Sequence, residues 1–264
     1  MHSSILFWRC RGARKRRASL YLKEVVKKHR VFFIGLLETK ISYFDRKDVD
    51  HLIGSEWDFV QVPSEGLSGG ILVLWKSNIT GFQLLKASSH LIIGDLEVQN
   101  KGKWRIATIY GNKNVYRRRS LWESLGNYSS KEFNMVIGGD FNYILSKEDK
   151  RGGKRFKFPL GPKEMKNFLS NYDFHEIGYV GQKFTWCNNQ NGVDRILERL
   201  DRCLLNSVAL NTPNQFVVRN LARVASDHCP ILLNLMKHHA SKKVLRFEDI
   251  WASNKASVAV VKGI

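Results

Sequence analysis

Short apolar runs punctuated by Gly, Asn and Asp recur along most of this 264-residue chain, and several follow one another with no helical stretch between them. Segments 5–8, 31–37, 70–75, 91–98, 104–110, 133–137 and 231–235 are rich in β-branched and aromatic residues, which fit a pleated, half-buried surface. Helical spacing is confined to a few places: Leu22, Val25, Val26 and His29; Val49, Leu52 and Ile53; Met165, Phe168 and Leu169. Gly161-Pro162 suits the start of the last of these, because a proline there gives up no hydrogen bond. Strands that succeed each other directly predict mixed or antiparallel sheets covered by helices, not a doubly wound parallel sheet. An apolar content of 43%, with no internal repeat or low-complexity linker, predicts one large core in a single α/β domain over 1–236. Residues 237–264 change character and are expected to form an extension, a truncated linker.

Charge narrows the partners. The formal net charge is +19, and the basic residues cluster. Between Arg9 and Arg30 ten Lys or Arg stand against one acid, Glu24; Arg117, Arg118 and Arg119 are consecutive; Lys147, Lys150, Arg151, Lys154, Arg155 and Lys157 fall close together. Such runs are commonly solvated faces, but several separated clusters in a folded chain favour contact with a phosphate backbone. The longest apolar run, Val31–Leu37, is too short to cross a bilayer, so no membrane partner is expected. The first residues lack a signal-peptide layout. Four cysteines (Cys10, Cys187, Cys203, Cys229) form no Cys-x-x-Cys pair, so reduced thiols in an intracellular protein are expected.

Four islands place polar groups at the ends or beginnings of apolar runs: Leu36-Leu37-Glu38-Thr39-Lys40, Ile137-Gly138-Gly139-Asp140-Phe141-Asn142, Glu198-Arg199-Leu200-Asp201-Arg202 and Ser226-Asp227-His228. Together they supply a carboxylate able to hold Mg²⁺, an Asp/Asn pair, a further Asp and an Asp-His dyad, the equipment of metal-assisted phosphodiester hydrolysis. Taken singly each has a plainer reading. Glu38 could pair with Lys40 at a strand end, and Asp140 and Asn142 could be turn formers beside two glycines. The functional reading of that pair is that strand alternation aims both side chains to one side, where they position a water against a phosphate. A residue cannot easily share its neighbour's imidazole, so Asp201, not Asp227, is the candidate to orient His228. No Gly-x-Ser-x-Gly elbow accompanies the histidine, which argues against acyl chemistry. The stretch Gly66-Leu67-Ser68-Gly69-Gly70 lacks the Gly-Lys-Ser/Thr ending of a nucleotide loop and reads as a turn leading into a strand. Trp186, in Phe184-Thr185-Trp186, is either core or an aromatic offered to DNA.

In order and spacing these motifs resemble the endonuclease/exonuclease/phosphatase superfamily. More narrowly, the chain is similar to the endonuclease domain of plant LINE-type non-LTR retrotransposons, relatives of apurinic/apyrimidinic endonucleases. The resemblance also covers Ser68-Gly69-Gly70, Trp75-Lys76 and Ile109-Tyr110-Gly111, and runs from about Ile5 to Leu235. It implies a four-layer α/β sandwich with two mixed β-sheets flanked by helices. It further implies Glu38 as principal Mg²⁺ ligand (Mn²⁺ as an alternative) with Asp227 completing the metal side, and Tyr110 on the scissile phosphate. Asp140 would activate water, Asn142 would hold phosphate, and His228, oriented by Asp201, would stabilise the pentavalent phosphorus. Arg117, Arg118, Lys154, Arg155 and Trp186 are the expected substrate contacts.

One position departs from the pattern. The family's Trp-Asn-x-Arg-Gly stretch reads Trp8-Arg9-Cys10-Arg11-Gly12 here, so a long cation replaces a neutral amide that supports the metal site. Three outcomes stay open: Mg²⁺-dependent nicking of one DNA strand, an impaired remnant that only binds nucleic acid, and hydrolysis of a phosphoinositide or small phosphomonoester. No organic cofactor is expected, DNA as substrate would imply a nuclear place, and the reverse transcriptase toward which Arg246-Phe247-Glu248 leads is absent from this chain.

Overall fold

The computed structural model describes residues 4–66, 68–99, 102–157 and 160–237. The C-terminal extension beyond 237, with Arg246 to Glu248, lies outside them. In chain order the first elements are β1 (Ser4–Arg9), α1 (Arg16–His29), β2 (Val31–Leu37), α2 (Arg46–Leu52), β3 (Trp57–Glu65), β4 (Ser68–Lys76) and β5 (Thr80–Ser88). Then come β6 (Leu91–Val98), β7 (Gly102–Tyr110), α3 (Val115–Asn127), β8 (Asn134–Asp140), β9 (Lys150–Arg151) and α4 (Leu160–Asn171). The last are β10 (Phe174–Glu176), β11 (Tyr179–Gly181), β12 (Trp186–Cys187), β13 (Leu197–Glu198), β14 (Asp201–Asn206), α5 (Ser207–Leu210), β15 (Asn214–Asn220) and β16 (Ile231–Lys237).

Two large sheets carry the domain. One has the order β11-β15-β16-β1-β2-β4-β3, the other β10-β14-β8-β7-β6-β5, and a small third sheet joins β12, β13 and β9. Both large sheets are mixed: β1 and β2 run parallel in the first and β7 and β8 in the second, while other pairs are antiparallel. Ile5, Phe7, Phe33, Ile71, Val73, Ile106, Val136, Ile231 and Leu233 fill the space between the sheets. Leu6, Trp8, Ile34 and Leu36, alternating with them along β1 and β2, pack outward with Leu22 and Val25 of α1 and Val49 and Leu52 of α2. On the other outer face Leu121 and Trp122 of α3 and Met165 and Phe168 of α4 cover Ile93, Ala107, Ile109 and Ile137. The layers are therefore helix, sheet, sheet, helix, as expected.

Local chemistry explains the helix limits. α1 stops at Arg30, which adopts left-handed backbone (φ 52°), and Lys27 and Lys28 place positive charge near its C-terminal carbonyls. Asp45 and Asp48 form a reciprocal capping box at α2, and the Asn114 side chain accepts from the Tyr116 and Arg117 N–H groups to start α3. Pro162 sits in the first turn of α4, where no intrahelical partner is lost.

Several elements escaped the sequence reading. β3 contains Pro63 and β5 alternates irregularly with a register shift between Leu84 and Lys86; both are outermost strands, where polar residues and proline are tolerated. α3 carries three consecutive arginines and a blurred apolar period. All four cysteines are buried free thiols, and among the described residues no helix is long and apolar enough to cross a membrane.

Where the sheets approach, side-chain volume is tightly limited. A Cβ on Gly138 would lie 2.2 Å from the Phe7 ring, and one on Gly35 would lie 2.5 Å from the Thr108 side chain. Gly138→Ala should therefore cost about 1–3 kcal/mol of stability in urea unfolding. Adding Phe7→Leu to Gly138→Ala should recover part of that loss although Phe7→Leu alone destabilises; strict additivity would contradict the clash.

Candidate active site

The strand ends bring the islands together at one margin of the sandwich. Tyr110, Asp140 and Asp201 lie side by side across β7, β8 and β14, Tyr110 opposite Asp140 and Asp140 opposite Asp201. From the facing sheet, Arg9 ends β1, Glu38 follows β2, and Asp227 and His228 precede β16. Gly139 is required between them: its φ is 135°, and a Cβ there would lie 2.2 Å from the Ile109 carbonyl oxygen.

The expectation that strand alternation aims Asp140 and Asn142 alike is corrected. β8 ends at Asp140, and Asn142 lies beyond it with left-handed backbone (φ 52°). A turn does what alternation was expected to do. Asp140 Oδ1 accepts from the Asn142 backbone N–H at 2.8 Å, and Asn142 Nδ2 donates to the Gly111 carbonyl at 2.6 Å, leaving Oδ1 toward Arg9 at 3.5 Å. Glu38 also has left-handed backbone (φ 52°), so the chain turns sharply as β2 emerges.

His228 is fully buried, with Nδ1 2.8 Å from Asp201 Oδ2. Its Nε2 lies 4.0 Å from Asp140 Oδ2 and has no hydrogen-bond partner among the described residues. Asp201 is held in turn by Thr185, whose Oγ1 accepts from the Leu200 and Asp201 N–H groups at 3.0 Å each. Burial disfavours the imidazolium, but the charges of Asp201 and Asp140 outweigh it and raise the His228 pKa above its ordinary 6.5. The site can therefore hold a proton on an imidazole whose second nitrogen faces Asp140.

The metal side differs from the expectation. Arg9 donates from Nε to Glu38 Oε2 and from Nη1 to Asp140 Oδ2, each at 2.7 Å, with its guanidinium 5.0 Å from the Tyr110 ring centre. The other Glu38 oxygen has Lys40 Nζ at 3.4 Å and Arg11 Nε at 3.5 Å. Asp227 Oδ2 accepts from Arg11 at 2.5 Å and from the Trp186 indole at 3.0 Å. Burial pushes the Glu38 carboxyl up, yet Arg9, Arg11 and Lys40 hold it below the usual range. Mg²⁺ needs oxygen ligands at about 2.1 Å in near-octahedral array, and here guanidinium nitrogens fill that space. The donor set around Glu38 and Asp227 does not fit a divalent ion in this arrangement. Asp140, Asp201 and His228 also bring ligand atoms within 4.8 Å of one another, but the Asp201–His228 pair is committed to its own hydrogen bond.

The expected substrate contacts divide. Arg117, Lys154 and Arg155 are exposed and available to phosphate. Arg118 is corrected: it is buried, stacked 3.2 Å from the Tyr143 ring centre, and donates to the Asn142 carbonyl at 3.1 Å, so it braces the turn. Trp186 is half-buried, its indole fixed on Asp227. Sequence reasoning missed the ion network under β14, where Arg202 is 2% exposed and bonds Asp149 at 2.5 Å and Glu176 at 2.7 Å, with Arg199 sharing Glu176. Its signal was the Glu-Arg-Leu-Asp-Arg charge pattern, read only for Asp201.

A group whose folded pKa is raised stabilises the fold fully below its unfolded value and loses that contribution as pH rises through the folded value. For His228 the contribution is complete below 6.5 and fades above it. In Asp201→Asn the largest raising charge is gone while burial remains, so the imidazole titration followed by NMR should move to lower pH, and the decline of stability above neutrality should flatten. An unchanged midpoint would contradict the pairing.

The profile of the Endonuclease/Exonuclease/phosphatase family matches residues 6–228. None of the curated proteins matches significantly. Among solved structures, the endonuclease domain of TRAS1, a telomere-specific non-LTR retrotransposon, aligns over 91% of this chain and all of its own, at 13% identity and TM-score 0.66. The apurinic/apyrimidinic endonuclease of Leishmania major aligns over 89% and 88% at 17% identity and TM-score 0.68, and a 3'-5' exonuclease of Neisseria meningitidis over 88% and 99% at 15% and 0.67. At these identities the structures speak for the fold, while the profile spans the strand ends on which Arg9, Glu38, Asp140, Asp201 and His228 converge. This chain belongs to the endonuclease/exonuclease/phosphatase family.

Proposed function

We propose that this chain acts on DNA, hydrolysing a phosphodiester and leaving a nick in one strand, as in retrotransposon target-site cleavage. The observation that carries the proposal is the buried, unpartnered Nε2 of His228, pinned through Nδ1 to Asp201 and set 4.0 Å from Asp140. A nitrogen of this kind can donate to a phosphate oxygen while Asp140 accepts the proton of an attacking water. Asn142 and Arg118 fix the turn that aims Asp140, and the Tyr110 ring, half-buried beside Arg9, borders the same space. The exposed Arg117, Lys154 and Arg155 and the +19 charge supply backbone attraction. A family that generally depends on a divalent metal would use Mg²⁺ at such a site to polarise the phosphate and acidify water, but in this chain Arg9 occupies the space beside the Glu38 carboxylate.

A second reading, binding without cleavage, is favoured by the two short Arg9 salt bridges. The proposal is tested by conversion of supercoiled plasmid to open circle with Mg²⁺ supplied. Arg9→Asn should nick about 10- to 100-fold faster than wild type, the span expected when one polar support of a metal site is at stake. Asp140→Ala or His228→Ala added to Arg9→Asn should reduce nicking at least about 100-fold. Nicking that survives both additions would sink the assignment. A folded Arg9→Asn protein that binds DNA in a salt-sensitive way but never nicks it would establish the binding reading.

A further inference from the structure

We infer that the Arg9 guanidinium is the resident cation of this site, occupying the place between Glu38 and Asp140 and excluding divalent metal ions from Glu38. The inference rests on the proposed function only for the meaning of the site; the exclusion itself stands on geometry. Four carboxylates converge here, Glu38, Asp140, Asp201 and Asp227, and all are at least nine-tenths buried. Buried carboxylates need compensating charge, because an unpaired one is strongly destabilising. His228 compensates Asp201, and Arg11 compensates Asp227. Glu38 and Asp140 share Arg9.

Arg9 is also seated as a structural group, unlike the other cations near Glu38. Its side chain is 11% exposed, against 44% for Arg11 and 31% for Lys40, which approach Glu38 only to 3.5 and 3.4 Å, Arg11 being bonded instead to Asp227. Its carbonyl is fixed by the Ser226 hydroxyl at 2.7 Å, and its guanidinium lies against the Tyr110 ring. The planar fork spans two carboxylates from two different sheets, which a lysine ammonium at the same position could not do with the same geometry. A divalent ion could reach Glu38 only by breaking both Arg9 ion pairs and displacing the guanidinium, or by lying against its positive charge. Arg9 brings one positive charge that cannot ionise a bound water. The chain is thereby relieved of metal for folding and loses the chemistry that metal brings.

The test is Mn²⁺ binding to the whole chain, followed by the free-ion electron paramagnetic resonance signal and by calorimetry, in wild type, Glu38→Gln, Arg9→Asn and Arg9→Asn/Glu38→Gln. Wild type should show no saturable binding beyond that of Glu38→Gln. Arg9→Asn should bind one Mn²⁺ at least about 10-fold tighter than wild type, and Glu38→Gln should remove that gain. Thermal melting gives a second readout: wild type should melt at the same temperature in EDTA and in Mn²⁺, whereas Arg9→Asn should melt lower in EDTA and recover with Mn²⁺. Wild-type binding of one Mn²⁺ that Glu38→Gln abolishes would overturn the inference, and this comparison holds even if Arg9→Asn fails to fold. The two ideas fail separately. Mn²⁺ binding by Arg9→Asn without any nicking removes the nuclease reading alone, and Glu38-dependent Mn²⁺ binding by a nicking wild type removes the resident cation alone.

Discussion

The Arg9 guanidinium, bridging Glu38 and Asp140 at 2.7 Å each, is the interaction on which the rest of this site depends. Arg9 ends β1 and Glu38 follows β2 in one sheet, while Asp140 ends β8 in the other. One planar cation thus ties the margins of both sheets where four buried carboxylates meet. Remove it without a substitute and two of those carboxylates lose their closest counter-charge, a situation that the low-dielectric interior penalises heavily.

That bridge is possible only because the sheets approach closely. Gly138 and Gly35 leave room for the Phe7 ring and the Thr108 side chain, and Gly139 lets β8 pass against the Ile109 carbonyl. Behind the site a second set of charges, Arg202 with Asp149 and Glu176, anchors the start of β14 beneath Asp201. Thr185 then holds the backbone of Asp201 itself. The His228–Asp201 pair is therefore braced both by the Arg202 ion network and by Thr185. The half of the site expected to handle protons is built and braced, and the half expected to hold metal is filled by a side chain.

Much of this was legible in the chain. The apolar runs at β1, β2, β4, β6, β7, β8 and β16 are buried on both faces, so they stand out as continuous stretches of Val, Ile, Leu and Phe. The pairing of His228 with Asp201 followed from the simple point that a residue cannot easily turn back onto its neighbour. The edge strands β3 and β5 stayed hidden because their outer faces meet water and carry polar residues. Arg118 looked like a phosphate contact from its place in a run of arginines, but the helical turn of α3 sends it inward onto Tyr143 while Arg117 and Arg119 point out.

The sequence alone determined the family, the layered α/β architecture and the identity of the polar residues, because hydrophobic period and motif order are properties of the chain itself. It also exposed Arg9 as the odd residue, without saying where a long flexible cation would go. Tertiary structure decided that. Only the convergence of strand ends from two sheets puts Glu38 and Asp140 within reach of one guanidinium, and only burial makes that pairing strong enough to keep Arg9 there.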